Sequence, residues 1–210
     1  MSIDSPVITP DLIASAMTYD QYVALSTERF NEGRSTTIDP HYNTPEILGY
    51  VKLNLHRMSR LHRLTTLEPE LRKALAEVLE PWTWLVLTES WCGDAAQSLP
   101  VIDLMASESP SITVGYLLRD ENPALMNAYL TNGGRSIPKL ICLRTRDLSE
   151  IGTWGPRPAG LQNLMIDWRT EKLPLSEAVE RAQRWYNDDH TQSVQAELLT
   201  LVRGWSKISV

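Results

Sequence analysis

The sequence predicts an α/β fold, in which a mixed sheet of four or five strands is flanked by helices and carries further helices at both ends. Three observations predict this fold. In the middle of the chain, short apolar runs alternate with helix-like segments, which is typical of parallel strands joined by right-handed crossovers. Two later apolar runs lie close enough in sequence to form a hairpin. Long amphipathic segments precede and follow these runs, so we expect helices to cover the sheet.

Three helices are predicted before the first strand. The first spans about residues 19–31, where apolar side chains form a partial face. The second begins where the capping residue Thr44 precedes Pro45, and apolar residues at helical spacing extend it to about residue 64. The third spans residues 69–80.

The rest of the chain alternates between strands and helices and then ends in helices. The predicted strands are 82–88, 112–118, 139–143 and 150–154, and the predicted helices are 95–106, 123–130, 159–168, 175–186 and 191–205. We expect residues 1–80 to form a helical N-terminal extension packed on a core at 81–170. Residues 171–210 then form a C-terminal helical extension of the same compact domain.

The composition argues against several classes of function. The net charge is −6 and the isoelectric point is about 5.3, which disfavours nucleic acid as a partner because phosphate binding needs clustered Lys and Arg. No run approaches the ~18 apolar residues that cross a bilayer. Residues 1–6 lack the basic start and apolar core of a signal peptide. We therefore expect a soluble, cytoplasmic protein with no membrane contact, cofactor or metal.

One cysteine stands where a predicted strand meets a predicted helix. Cys92 follows the apolar strand and precedes an alanine-rich segment. The free N–H groups and the dipole of a helix N-terminus favour negative charge, and a thiol there can ionise well below its free pKa of about 8.5. This position predicts a reactive thiolate. The other interpretation is a small, inert residue retained for packing.

The same residues resemble a known family. Trp91-Cys92-Gly93-Asp94-Ala95 is similar to the Trp-Cys-Gly-Pro-Cys active-site loop of thioredoxins, and Ser136-Ile137-Pro138-Lys139-Leu140 resembles the thioredoxin loop whose cis-proline faces that cysteine. The resemblance covers residues 82–169. It implies a thioredoxin-like fold with a single active-site cysteine.

A single cysteine implies a monothiol function. Ala95 stands where thioredoxins carry their second cysteine, and Val86 stands where they carry a buried acid. Cys92 would form a mixed disulfide with substrate or be oxidised to a sulfenic acid, and a thiol from solution would complete the cycle. The expected partner is a small thiol or a protein disulfide. The alternative is a non-catalytic thioredoxin-fold module that binds a protein or a small anionic ligand.

The resemblance also assigns roles around the cysteine. Trp91 and Gly93 would shape the active-site loop. Ile137 and Pro138 would present the substrate backbone by strand addition, although Pro138 could instead be an ordinary proline at the start of an edge strand. Asp94 replaces the thioredoxin proline, and it either caps the helix or transfers a proton to sulfur.

Several charged residues have two interpretations. Arg135 follows two glycines and either reaches the thiolate or an anionic ligand, or is a solvated turn residue. Arg119-Asp120 has a similar pair of interpretations, of which a surface ion pair is favoured, and Glu89 indicates a solvated side chain or a local acid. The basic helical segment 52–63 faces solvent or forms the wall of an anion pocket. Its charged face consists of Lys52, His56, Arg60 and Arg63.

The second cysteine and the last helix complete the predictions. Cys142 lies in the strand after the proline loop, ~13 Å along it, so a disulfide with Cys92 is not expected. We expect Cys142 to be a small buried hydrophobe. The last helix has an apolar stripe that forms either core or the surface of a homodimer. The stripe consists of Val194, Leu198, Leu201, Val202 and Trp205.

Overall fold

The computed structural model describes residues 7–208 and contains, within them, one four-stranded mixed sheet. The strands lie in the order β2-β1-β3-β4, with β1 parallel to β2 and antiparallel to β3, and with β3 antiparallel to β4. Their bounds are β1 Trp82–Thr88, β2 Ile112–Leu118, β3 Lys139–Arg144 and β4 Glu150–Trp154. The predicted strands, the parallel crossover and the hairpin are confirmed. In place of a fifth strand, Met17 forms a single antiparallel bridge with Tyr116 of β2.

Helices cover the sheet, and further helices precede and follow the strands in the chain, as predicted. Their bounds are α1 Pro10–Ser15, α2 Tyr19–Asn31, α3 Pro45–Leu64, α4 Pro69–Ala76, α5 Gly93–Ser107, α6 Pro123–Ala128, α7 Ala159–Thr170, α8 Leu175–Asp189 and α9 Gln192–Ile208. Neither α1 nor the 3-10 helix Pro40–Tyr42 was predicted. The helix predicted at 69–80 is shorter than expected, since α4 ends at Ala76.

The core lies on both faces of β1, all seven residues of which are buried. On one side, α9 packs its apolar stripe against the sheet, and four of its side chains are nearly inaccessible: Val194, Leu198, Val202 and Trp205. This part of the stripe is core, which leaves it unavailable as a dimer surface. A homodimer stays a prediction.

Helix α3 packs against α5. Its buried side chains include Val51, Asn54 and Met58, whereas the basic face predicted for residues 52–63 is exposed. The interpretation of that face as solvated is therefore confirmed. The contact with α5 brings the opposite face of α3 next to the loop that carries Cys92.

Among residues 7–208, no helix combines the length and the apolar composition that a membrane crossing requires. The prediction that residues 1–6 are not a signal peptide lies outside the described residues. The predicted division of the chain into extensions and core also stays a prediction.

Candidate functional site

Cys92 lies at the junction of β1 and α5, next to the proline loop. Its sulfur accepts a hydrogen bond from the backbone N–H of Ala95 (3.5 Å), as the N-cap of α5. The thiol donates to the carbonyl oxygen of Ile137 at 3.3 Å. The peptide bond between Ile137 and Pro138 is cis. The structure therefore brings together the cysteine and the proline loop, which lie far apart in sequence.

The ionisation of Cys92 differs from the prediction. Its side chain is only 7 % exposed, and this burial, together with the negative charge of Asp94, raises the pKa of the Cys92 thiol to about 12. The N–H of Ala95 and the charge of Arg157 act in the opposite direction. The prediction that the helix N-terminus lowers the pKa of Cys92 was wrong. Removal of the thiolate from water raises the pKa by more than the hydrogen bonds of the backbone N–H groups lower it.

Asp94 is held in an ion pair rather than facing open solvent. One carboxylate oxygen accepts from Nε (2.9 Å) and Nη2 (2.5 Å) of Arg157, and the other accepts from the hydroxyl of Tyr186 at 2.8 Å. Its alternative role as the helix cap is filled by Cys92 itself. Arg157 was expected in a connection and Tyr186 in a helix, and neither residue was predicted to belong to the site.

Trp91 belongs to an aromatic and cationic stack. Its ring lies 4.2 Å from that of Tyr42, and the guanidinium carbon of Arg119 lies 4.8 Å from the Trp91 ring centre. Arg119 forms a two-pronged ion pair with Asp120 (2.8 and 3.1 Å). The pair was predicted, but its surface position was wrong, since Arg119 is 8 % exposed. Asp120 also accepts from Arg135 at 3.3 Å.

Glu89 is buried and not a solvated strand-end residue as the sequence suggested. Its carboxylate accepts from the hydroxyl of Thr36 and from the backbone N–H of Asp120 (3.0 Å). Burial raises the pKa of Glu89 to about 7, against these hydrogen bonds. Glu89 therefore ties the segment around Thr36 and the end of β2 to the loop before Cys92.

A cavity of about 680 Å³ opens beside the thiol. The predicted site residues on its wall are Trp91, Cys92, Gly93, Asp94, Arg135 and Ile137. Pro138 is buried and does not line the cavity. Arg119, which had been singled out in the sequence, also lines the cavity, whereas four further lining residues were not predicted: Tyr42, Arg57, Arg157 and Tyr186. Arg57 lies three residues after buried Asn54, and a cation at the border of the apolar face of a helix is a signal that could have identified it.

The other thiol stands apart from this cavity. Cys142 is fully buried in β3, opposite Trp84 of β1, and both cysteines are free. Its predicted character as a buried hydrophobe is confirmed. Within residues 7–208, no cluster of three His, Cys, Asp or Glu side chains has the arrangement to hold a metal ion.

Comparisons with known proteins agree with this geometry. A family model described as "Thioredoxin" matches residues 43–169, more than half of the chain, and thus includes α3 and α4 as well as the predicted core. No curated protein matches the sequence.

Two solved structures share the fold. One is a protein of unknown function from Pseudomonas aeruginosa, with a TM-score of 0.53 and 16 % identity over 90 % of this chain and 98 % of the other. The second is an HIV epitope-scaffold, with a TM-score of 0.52 and 16 % identity over 90 % of this chain and 99 % of the other. At this identity the two structures inform on the fold alone. From the family match, the chain belongs to the thioredoxin family.

Proposed function

We propose that this chain is a monothiol thioredoxin-like protein that exchanges disulfides through Cys92. The observation that supports it best is the position of the Cys92 sulfur, 3.3 Å from the carbonyl oxygen of Ile137 and on the wall of an open cavity. A disulfide that occupies this cavity would lie beside both the sulfur and the proline loop. Trp91, Gly93, Ile137, Pro138 and Arg135 shape the site around such a substrate in this proposal.

The exchange has two balanced steps. The sulfur of Cys92 attacks one sulfur of a substrate disulfide, so that a new S–S bond forms and the substrate S–S bond breaks. The proton of the Cys92 thiol ends on the leaving thiolate, which departs as a thiol. A second thiol then attacks the mixed disulfide, releases Cys92 and returns a proton to it. The net reaction converts one disulfide and one thiol into a new disulfide and a new thiol.

The raised pKa of Cys92 sets the condition for this chemistry. The resting thiol is protonated at neutral pH, so the first step needs a substrate or a charge that favours the thiolate. Arg157 supplies such a charge and Asp94 opposes it. In this proposal the Asp94–Arg157 pair controls the reactivity of Cys92, and proton transfer by Asp94 stays a prediction. The cytoplasm, whose small thiols would resolve the mixed disulfide, is the proposed setting.

The test is exchange between a neutral disulfide and a neutral thiol. Bis(2-hydroxyethyl) disulfide and N-acetylcysteine amide are mixed with protein, and the mixed disulfide product is measured by chromatography. We expect wild type and Cys142→Ser to accelerate its formation equally, and Cys92→Ser to leave the rate at the uncatalysed value. No acceleration by wild type, or full acceleration by Cys92→Ser, overturns the proposal.

A second function is favoured by the pKa of Cys92. A thiol held protonated is suited to a binding module that uses the same cavity without covalent chemistry. Under this alternative, a ligand of the cavity binds to wild type and Cys92→Ser with equal affinity under reducing conditions, and the exchange assay shows no acceleration.

A further inference from the structure

We propose that the cavity beside Cys92 takes a small thiol or disulfide that carries a carboxylate, and that Arg57 binds this carboxylate. This inference rests on the proposed exchange function only for the sulfur of the ligand. The anion site itself depends on the charges and contacts of the cavity wall.

Arg57 is held in place next to the active-site loop. Its Nη1 donates to the side-chain oxygen of Asn54 at 2.9 Å. Asn54 is buried and donates in turn to the backbone carbonyl of Ser90 at 2.9 Å. These two hydrogen bonds connect the guanidinium of Arg57, through one fixed amide, to the residue two positions before Cys92. A fixed guanidinium loses little further entropy when it binds a ligand.

The other three arginines of the cavity already have carboxylate partners. Arg157 pairs with Asp94, while Arg119 and Arg135 share Asp120. Within residues 7–208, Arg57 takes part in no ion pair, and its burial and the nearby charge of Arg60 lower its pKa.

A half-buried guanidinium without a counter-ion has lost part of its hydration without replacement. An anionic ligand would supply that replacement, because a carboxylate accepts two parallel hydrogen bonds from arginine. The sharing of Asp120 by two guanidiniums leaves a second excess of positive charge at Arg135. Glu46 also lines the cavity, but it is exposed and so is well hydrated.

The size and the remaining wall of the cavity indicate a small ligand. Its volume of about 680 Å³ falls within the roughly 300–1,000 Å³ of small-molecule sites. Apolar side chains of Ile47, Ile137, Met165 and Val179 line it together with the aromatic rings. These surfaces suit an aliphatic or peptide-like body between a carboxylate at Arg57 and a sulfur at Cys92.

The test uses S-methylglutathione, a thioether with two carboxylates that cannot exchange disulfides. Its binding is measured by titration calorimetry to three proteins. These are Cys92→Ser alone, Cys92→Ser with Arg57→Gln, and Cys92→Ser with Arg60→Gln. Arg60 lies on the exposed face of the same helix, so Arg60→Gln matches the change in charge without touching the cavity. We expect Arg57→Gln to weaken binding at least about tenfold, as for loss of a charge-assisted hydrogen bond, and Arg60→Gln to leave it within a factor of two.

A second probe tests the carboxylate directly. The dimethyl ester of S-methylglutathione should bind at least about tenfold more weakly than the acid. Equal affinities of acid and ester, or of the Arg57→Gln and Arg60→Gln variants, overturn the inference. Binding by the acid together with no exchange of the neutral disulfide would refute the exchange proposal alone. Exchange of the neutral disulfide without binding of the acid would refute this inference alone.

Discussion

Cys92 and Cys142 are both buried free thiols, and burial raises the pKa of each to about 12. Their surroundings differ. Cys142 lies within β3, between Trp84 of β1 and Gly152 of β4, in the interior of the sheet. Cys92 caps α5, contacts the proline loop and lines a cavity. Access to a ligand, rather than acidity, therefore separates the candidate reactive thiol from the structural one.

The largest expected effect is the difference between the two thiols in alkylation by iodoacetamide. Modification of Cys142 requires the sheet to open. If opening costs a free energy of at least about 5 kcal/mol, the alkylation of Cys142 is more than roughly a thousandfold slower in the folded protein than in the unfolded chain. Cys92 reacts from the cavity, and we expect its rate to increase about tenfold per pH unit up to pH ~10, without a plateau near neutrality. Peptide mapping of the alkylated protein at several pH values measures both rates. Equal protection of the two thiols, or a plateau for Cys92 below pH 8, would contradict this account.

The next effect concerns the pH dependence of stability at the Cys92 end of the sheet. Because the pKa of Glu89 is raised from 4.5 to about 7, the folded protein holds this proton more tightly than the unfolded chain. The resulting stabilisation is complete below pH 4.5 and is lost as the pH rises through about 7. We expect a loss of about 3 kcal/mol over this window.

Urea unfolding of wild type and Glu89→Gln at pH 5 and pH 8 isolates this contribution. The free energy of unfolding should fall more in wild type than in Glu89→Gln, which carries no titrating group at this position. The same fall in both proteins would show that Glu89 is not the group responsible.

A smaller effect is expected from a glycine that packs against the proline loop. Gly155 has φ +111°, and a Cβ on it would overlap the carbonyl oxygen of Pro138. Gly155→Ala should therefore lower the free energy of unfolding by about 2 kcal/mol and slow the exchange by Cys92. Gly204→Ala is the matched control, since Gly204 lies in α9 with open space around it, and it should be neutral or stabilising. If both variants lose the same stability, the contact with Pro138 has no special role.

The smallest effect separates the charges around Cys92. Asp94 raises and Arg157 lowers the pKa of Cys92. Asp94→Asn should therefore increase the alkylation rate of Cys92 at pH 8, and Arg157→Gln should decrease it, each by roughly tenfold for a shift of about one pKa unit. The rate of Cys142 in denaturant serves as the internal reference. Changes of the same sign in both variants would indicate a change in access instead of charge.

The order of elements in the sheet could be predicted because the pattern is local. The apolar runs coincide with the observed strands. Prolines and capping residues such as Thr44 lie at the observed starts of helices. Helix α1 was missed because six residues are too few to show a periodic face. The short 3-10 helix that contributes Tyr42 has no periodicity to detect either.

The site could be predicted only where its residues lie in contiguous motifs. Cys92 and the proline loop were identified in this way, whereas Arg57 of α3 and Tyr186 of α8 line the cavity from helices that lie far from Cys92 in sequence. The burial of Glu89 depends on the hydroxyl of Thr36, which is distant in sequence. The shift of the Cys92 pKa was predicted in the wrong direction. Desolvation depends on tertiary packing around the thiol, and the local sequence of the strand-to-helix junction does not reveal that packing.

The most direct test of the central claim is to locate the mixed disulfide. Native protein is exposed to a stoichiometric amount of bis(2-hydroxyethyl) disulfide at pH 8, and the modified residue is identified by peptide mapping with mass spectrometry. We expect one adduct, on Cys92, that a second thiol removes, with Cys142 unmodified. No adduct on Cys92, or modification of both cysteines to the same extent, would contradict it.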